Sequence, residues 1–144
     1  MAAMKSEPSV GRIQLVCAFP VLGVVVLTVL TVAIVKGNLL GDIEVDSAGL
    51  IAPIFTVLSV MLVILSFGLK ALLVSQLPNG RAPAQRIFNI AFIAVALAEF
   101  GGVAGFIVGI LTRDLTLPMI CFGSALAGCL LQFPTRAWLT NHIE

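Results

Sequence analysis

Four long apolar stretches alternate with short polar segments along the chain, and this alternation predicts the architecture. The stretches cover residues 13–35, 49–69 with an extension to about 77, 87–111 and 117–133. An apolar run of roughly 17 to 25 residues is typical of a transmembrane helix, because a rise of ~1.5 Å per residue carries it across a ~30 Å hydrocarbon core. We therefore predict an all-α, polytopic membrane protein with four transmembrane helices, built as a single membrane domain over residues 1–144.

The polar segments carry the signals that separate the spans. Pro78-Asn79-Gly80 predicts a turn after the second span. The segment 36–48 contains three acidic residues, Asp42, Glu44 and Asp46. Such a cluster could hold a cation, but it lacks the remaining ligands of a calcium loop, so we interpret the segment as a solvated connector. We expect residues 137–144 to form a short interfacial helical turn.

The third span carries one ionisable residue, Glu99, at its middle. A charge there costs about 2.5 to 3.5 kcal/mol on insertion scales, whereas each Leu, Ile, Phe or Val returns about 0.3 to 0.6 kcal/mol. The favourable contributions of the many such residues in the span exceed the cost of the acid, so the span should insert. An ionisable residue at this depth usually has a function. We expect desolvation to keep Glu99 neutral at rest and hydrogen-bonded to a hydroxyl of another span. The hydroxyls near the middles of the other spans are those of Thr28, Ser59 and Ser124.

Small residues form one continuous face of the third span when its residues are placed at ~100° each. This face includes Ala94, Ala98, Gly101, Gly102, Gly105 and Gly109. Small residues at four-residue spacing let helices approach closely in lipid. The fourth span offers two such pairs, Gly123 with Ala127 and Ser124 with Gly128. We predict that the two spans pack through these surfaces, with Glu99 on the rim of the small face.

Composition narrows the classes of function. The chain is 60% hydrophobic and 10% charged with a net charge of +1, and its mean hydropathy is +1.16. A soluble domain of this size does not have that composition. No basic tract indicates nucleic acid as a partner, and phosphate-binding loops, CxxC pairs and HExxH motifs are absent from the sequence. The partner that the composition implies is the lipid bilayer.

Neither cysteines nor histidine indicate a metal or catalytic site. The three cysteines, Cys17, Cys121 and Cys129, all fall in apolar stretches, and an odd count argues against a disulfide framework. The only histidine is His142. No nucleophile lies in a pattern that would give it a general base. We therefore expect no catalytic residues, no metal, no cofactor and no enzyme activity.

The distribution of Lys and Arg predicts the orientation. An even number of spans places both termini on one side of the membrane. That side, which also holds the loop after the second span, carries Lys5, Arg12, Lys70, Arg81, Arg86 and Arg136. The opposite side carries Lys36 and Arg113. Because cytoplasmic segments are enriched in Lys and Arg, we predict that both termini are cytoplasmic.

One four-residue segment resembles a known family. Ala96-Leu97-Ala98-Glu99, in a glycine-rich helix that follows a basic loop, resembles the second helix of the rotor-ring c subunit, or proteolipid, of rotary ATPases. In that family a mid-membrane carboxyl binds and releases a proton or a sodium ion as the ring turns. The resemblance implies that Glu99 is an ion-binding residue, and that the chain is an oligomeric subunit.

A second resemblance covers more of the chain. Phe133-Pro134-Thr135-Arg136, together with the Glu99 segment, resembles segments of small four-span bacterial membrane proteins of unassigned function. It implies a bacterial inner (plasma) membrane and no particular activity. Two hypotheses follow: a structural or accessory protein packed around Glu99, or a proton- or sodium-binding subunit. Whether the chain forms a homo-oligomer or joins a complex stays open.

The predicted topology can be tested by cysteine labelling. In a background without the native cysteines, Asn79→Cys and Asn38→Cys should react with a membrane-impermeant thiol reagent from opposite sides. We expect Asn79→Cys to react from the cytoplasmic side in inverted vesicles. Reaction of Asn38→Cys from that side would overturn the arrangement.

Overall fold

The computed structural model describes residues 9–39 and 48–144. In these ranges it consists of five α-helices and one 3₁₀ turn at Pro78–Gly80, without a strand. The helices are α1 (Val10–Gly37), α2 (Ala48–Ser75), α3 (Ala84–Thr112), α4 (Thr116–Gln132) and α5 (Arg136–His142). The all-α prediction is confirmed, because the described residues form helices and no strand. The acidic segment with Asp42, Glu44 and Asp46 lies outside the described residues.

The helices are long and apolar enough for a multi-pass membrane protein. Three of them, α1, α2 and α3, meet the length and hydropathy of a membrane span. The shorter α4 continues into α5 after a bend of 52°, and the two count as a fourth span when they are taken together. The predicted bounds of the four spans differ from the helix ends by at most three residues when the extension of the second span to about 77 is included; without it, the bound at residue 69 lies six residues before Ser75. The apolar length of each segment, set by the thickness of the bilayer, explains this agreement.

Caps and turns fix the helix ends. Ser9 accepts a hydrogen bond from the backbone N–H of Arg12 at 3.4 Å and begins α1. Thr135 accepts from the N–H of Trp138 at 3.2 Å and begins α5, so a side-chain oxygen satisfies one of the free amides at each start. Helix α1 ends at Asn38 and α3 at Arg113, both with left-handed backbone (φ 48° and 52°). That conformation ends a helix sharply and occurs most often at glycine or asparagine.

The short connector between α3 and α4 is held by side chains of its own. The hydroxyl of Thr112 donates to the carbonyl of Val108 at 2.9 Å, and the backbone N–H of Asp114 donates to that hydroxyl at 3.3 Å. The hydroxyl and the backbone N–H of Thr116 both donate to the Asp114 carboxylate. These bonds stabilise the charged form and lower the pKa of Asp114.

Three segments meet at one end of the bundle. We call it the basic end, because these segments and the first turn of α3 carry Arg12, Arg81, Arg86 and Arg136. Backbone hydrogen bonds join Ala82, in the α2–α3 turn, to the C-terminal segment: Ala82 N–H donates to His142 O at 2.9 Å, and Glu144 N–H donates to Ala82 O at 3.2 Å. The amide of Gln14, near the start of α1, donates to Pro134 O at 3.1 Å. The start of α1, the α2–α3 turn and the C-terminal segment therefore share one end, as an up-and-down bundle requires. Its assignment to the cytoplasm stays a prediction.

Helix α3 lies at the centre and contacts α1, α2 and α4. Its small residues let each neighbour approach on a different side. A Cβ added to Gly101 would lie 3.2 Å from the carbonyl oxygen of Ser59 on α2. One added to Gly102 would lie 3.2 Å from a methyl of Val24 on α1, and one added to Gly105 would lie 2.7 Å from Cβ of Cys121 on α4. Ala94, Ala98 and Gly109 are buried with them. The face predicted to meet α4 thus meets three helices.

The face of α4 that contacts α3 does not include the predicted pair of Gly123 and Ala127. Gly123 and Ala127 are exposed, and nothing lies within 4 Å of a Cβ added to Gly123. The buried face consists instead of Cys121, Phe122, Ala125, Gly128 and Cys129. A Cβ added to Gly128 would lie 3.3 Å from Cβ of Ala98. Cysteine and alanine are small enough to serve as a packing stripe, so several faces of α4 qualify by size alone.

The outer surfaces of α1 and α2 are apolar. Large hydrophobic side chains point outward along both helices, among them Leu22, Val29, Leu50, Ile54 and Leu65. In water such a surface would favour aggregation, whereas in a bilayer it meets lipid tails. This surface supports a membrane environment for the bundle.

We predict that substitutions at Gly105 and Gly123 differ sharply in their effect on stability. Gly105→Leu should lower the free energy of unfolding by roughly 1–3 kcal/mol, because the side chain must displace Cys121 or the helix that carries it. Gly105→Ala should cost less. Gly123→Leu is the matched control, since it adds the same side chain to an open surface. Thermal unfolding in detergent measures both, and equal losses would contradict the packing described here.

Candidate functional site

The carboxyl group of Glu99 lies against Gly23 of α1. A Cβ built on Gly23 would come within 3.1 Å of the Glu99 carboxyl carbon and would collide with its oxygen Oε1. Glu99 lies near the midpoint of α3 and Gly23 near the midpoint of α1. The missing side chain of Gly23 therefore leaves the space that the acid fills. Nothing in the apolar pattern of the first span singled out Gly23.

Apolar residues surround this contact. Val24, Val95, Ala98, Phe122, Ala125 and Cys129 form one buried cluster of the bundle. The thiol of Cys129 lies 3.6 Å from the carbonyl oxygen of Val95, one turn before Glu99. The Glu99 side chain itself is half-buried. The acid thus combines an apolar inner wall with partial access to the outer surface of the bundle.

The three predicted hydroxyl partners bond elsewhere. Thr28 donates to Val24 O at 2.8 Å, and Ser124 donates to Cys121 O at 2.9 Å, each within its own helix. Ser59 donates across the α2–α3 contact to the carbonyl of Gly101 at 2.9 Å. The structure therefore does not bring these hydroxyls to Glu99. For Thr28 and Ser124 the carbonyl one turn earlier is within reach, and this local bond competes with the distant acid. Ser59 bonds instead to the neighbouring helix α3.

Few other groups with chemical reactivity lie together in the described part of the chain. No group of three or more His, Cys, Asp or Glu residues that could hold a metal ion is found within residues 9–39 and 48–144. The three cysteines are free and buried. Cys121 and Cys129 serve as small packing residues on α4.

A second polar cluster lies toward the basic end, where α2, α4 and α5 meet. The side chain of Gln132 is only 1% exposed, and its amide nitrogen donates to the hydroxyl of Ser66. The ammonium of Lys70 donates to the backbone carbonyl of Gln132 at 2.9 Å and lies 4.7 Å from the centre of the Trp138 ring. The ring of Trp138 in turn stacks on His142 at 4.6 Å. These contacts hold a cation in a fixed position.

Only part of this cluster is visible in the sequence. Lys70 interrupts the apolar pattern of the second span, and Trp138 follows the fourth, so both are expected at an interface. Gln132 carries no such signal, because a polar residue at the end of a span is ordinarily solvated. Its oxygen Oε1 is buried and has no hydrogen-bond partner within the described residues.

Comparison with known proteins identifies no family for this chain. No family model, no curated protein and no solved structure matches the chain. Any account of its function therefore depends on the residues and contacts described above.

The Glu99–Gly23 contact predicts strong coupling between the two positions. Gly23→Ala should destabilise the protein by about 1 kcal/mol, because the new methyl group displaces the carboxyl at the end of the flexible Glu99 side chain. In a Glu99→Ala background the same change should have little effect. The coupling free energy of this double-mutant cycle should then lie within about 0.5–3 kcal/mol. Additive effects of the two substitutions would show that the carboxyl does not occupy the space beside Gly23.

Proposed function

We propose that this chain is a small integral membrane protein with a structural or accessory role, in which Glu99 fastens α3 to α1. The observation that carries the proposal is the position of its carboxyl against the bare backbone of Gly23, near the midpoints of both helices. On this proposal the acid lies at mid-membrane. The role requires no catalytic residue, metal or cofactor. We further propose that the membrane is a bacterial inner membrane.

Relative magnitudes favour a neutral carboxyl in this role. A charge at the centre of a membrane helix costs about 2.5–3.5 kcal/mol. A hydrogen bond between membrane helices contributes roughly 0.6–2 kcal/mol. A protonated Glu99 avoids the larger cost, and on this proposal its O–H donates to a backbone carbonyl of α1 beside Gly23. The buried cluster that includes its sequence neighbour Ala98 consists of apolar residues and Cys129.

A second function is a proton- or sodium-binding subunit similar to the c subunit of rotary ATPases. The half-burial of Glu99 favours it, since a carrier must exchange its ion with the surroundings. On this proposal several copies assemble, and Glu99 is exposed to lipid in part of its cycle. The two functions differ in whether the carboxyl must gain and lose its proton.

Substitution at Glu99 tests the structural role. Glu99→Gln keeps both the shape and a hydrogen-bond donor, so the thermal stability in detergent should stay close to that of the wild type. Glu99→Leu keeps the approximate volume without a donor and should lose about 1–2 kcal/mol. Equal stability of all three proteins would exclude the fastening role.

Chemical labelling tests the ion-binding role in the same preparations. A hydrophobic carbodiimide attacks protonated carboxyls that are accessible from lipid, and an ion-binding Glu99 should react with it. Sodium ions should slow the reaction if they bind there, and peptide mass spectrometry separates Glu99 from the exposed Glu144. Glu99→Gln is the control. No labelling between pH 5 and pH 9 would exclude the ion-binding role and leave the fastening role intact.

A further inference from the structure

A groove opens beside Lys70 on the outer surface of the bundle. It has a volume of about 490 Å³ and is lined by Phe67, Lys70, Ala71, Val74, Ser75 and Trp138. Its walls come from the last turns of α2 and from α5. Phe67 is 39% exposed at its edge, so the groove faces the surroundings of the helices rather than the interior. We call it the Lys70 groove.

Among the described residues that line the groove, one is positively charged and none is negative. The two partners of the Lys70 ammonium are the carbonyl of Gln132 and the ring of Trp138. Both attract a cation without neutralising it, and none of the lining residues is acidic. An ammonium has three donors, and the carbonyl of Gln132 takes one of them. The Lys70 ammonium therefore has no acidic partner among the described lining residues and keeps donors that can bind an anion.

The surroundings of the groove match the headgroup region of a membrane. Lys70 lies five residues before the end of α2 at Ser75, which is ~7.5 Å along the helix axis. Exposed Arg81, Arg86 and Arg136 lie at the same end of the bundle. Tryptophan is enriched at the boundary between lipid tails and headgroups. The remaining walls, Phe67, Ala71 and Val74, are apolar and suited to a hydrocarbon chain.

We propose that the Lys70 groove binds an anionic phospholipid of the leaflet at the basic end. The phosphate of the lipid lies against the Lys70 ammonium, and the first part of an acyl chain lies along Phe67, Ala71 and Val74. Basic pockets between membrane helices bind anionic headgroups in this way. This site is separate from Glu99, and it holds under either of the functions proposed above.

Trp138 makes the proposal directly measurable, because it is the only tryptophan of the chain. Its fluorescence therefore comes from the groove alone. Brominated phospholipids quench tryptophan on contact, so competition between brominated and ordinary lipids in vesicles gives the relative affinity of the groove for each headgroup. We expect phosphatidylglycerol to be preferred about fivefold over phosphatidylcholine, which corresponds to about 1 kcal/mol for one lysine near the membrane surface.

Substitutions separate Lys70 from the general charge of this end. Lys70→Gln should abolish the preference, so that the relative affinity for the two headgroups falls to about 1. Brominated phosphatidylcholine should still quench Trp138. Lys70→Arg should keep the preference, because it keeps the charge. Arg136→Gln is the matched control, since it removes an exposed cation of the same end outside the groove, and the preference should remain. Circular dichroism of each variant verifies the helix content.

Several outcomes would overturn the proposal. A wild-type protein without headgroup preference would exclude the site, and this measurement does not depend on any variant. Loss of the preference in Arg136→Gln but not in Lys70→Gln would assign it to surface charge. Absence of quenching by every brominated lipid would mean that another protein segment or a second copy covers the groove. Displacement of the brominated anionic lipid by millimolar glycerol phosphate would show that the site recognises a free phosphate rather than a phospholipid.

Discussion

Close approach of three helices to α3 is the contact on which the rest of the bundle depends. Lipid tails are as apolar as the helices, so burying apolar surface gives no driving force for association in a membrane. Dispersion contacts between closely spaced backbones must supply much of the attraction. Gly101, Gly102 and Gly105 allow this approach toward α2, α1 and α4 respectively. The glycines cover a sector of α3 wide enough for all three neighbours, which makes α3 the centre of the fold.

The bundle has two polar features, Glu99 and Lys70, and they lie in different environments. Glu99 lies beside a glycine that creates the space for its carboxyl, and its environment is apolar. Lys70 lies near a helix end, where Gln132 and Trp138 hold its ammonium in place. The first group is inexpensive in lipid only without charge. The second lies near a helix end, from which a lysine side chain can extend toward a membrane interface.

The sequence predicts the helices well and their contacting faces less well. Apolar length locates each span within a few residues, because the bilayer imposes that length. Residue size did not select the packing face of α4, since Gly123 and Ala127 are as small as Ala125 and Gly128. Glu99 stands out as the acid of an apolar span, but Gly23 does not, because a single glycine in a valine-rich helix has no distinguishing pattern. Its role depends on which helix comes to lie beside it, and only the tertiary structure supplies that information.

The shortness of α4 has a consequence for the surrounding bilayer. Its 17 residues span ~26 Å, whereas the 28 residues of α1 span ~42 Å. The chain bends by 52° between α4 and α5, and the carbonyl of Gln132, the last residue of α4, accepts a hydrogen bond from Lys70, five residues before the end of α2. Lipids on that side of the bundle meet a lower hydrophobic wall than lipids on the other sides. A bilayer accommodates a short hydrophobic segment by thinning, and membranes with shorter acyl chains do so at a lower cost.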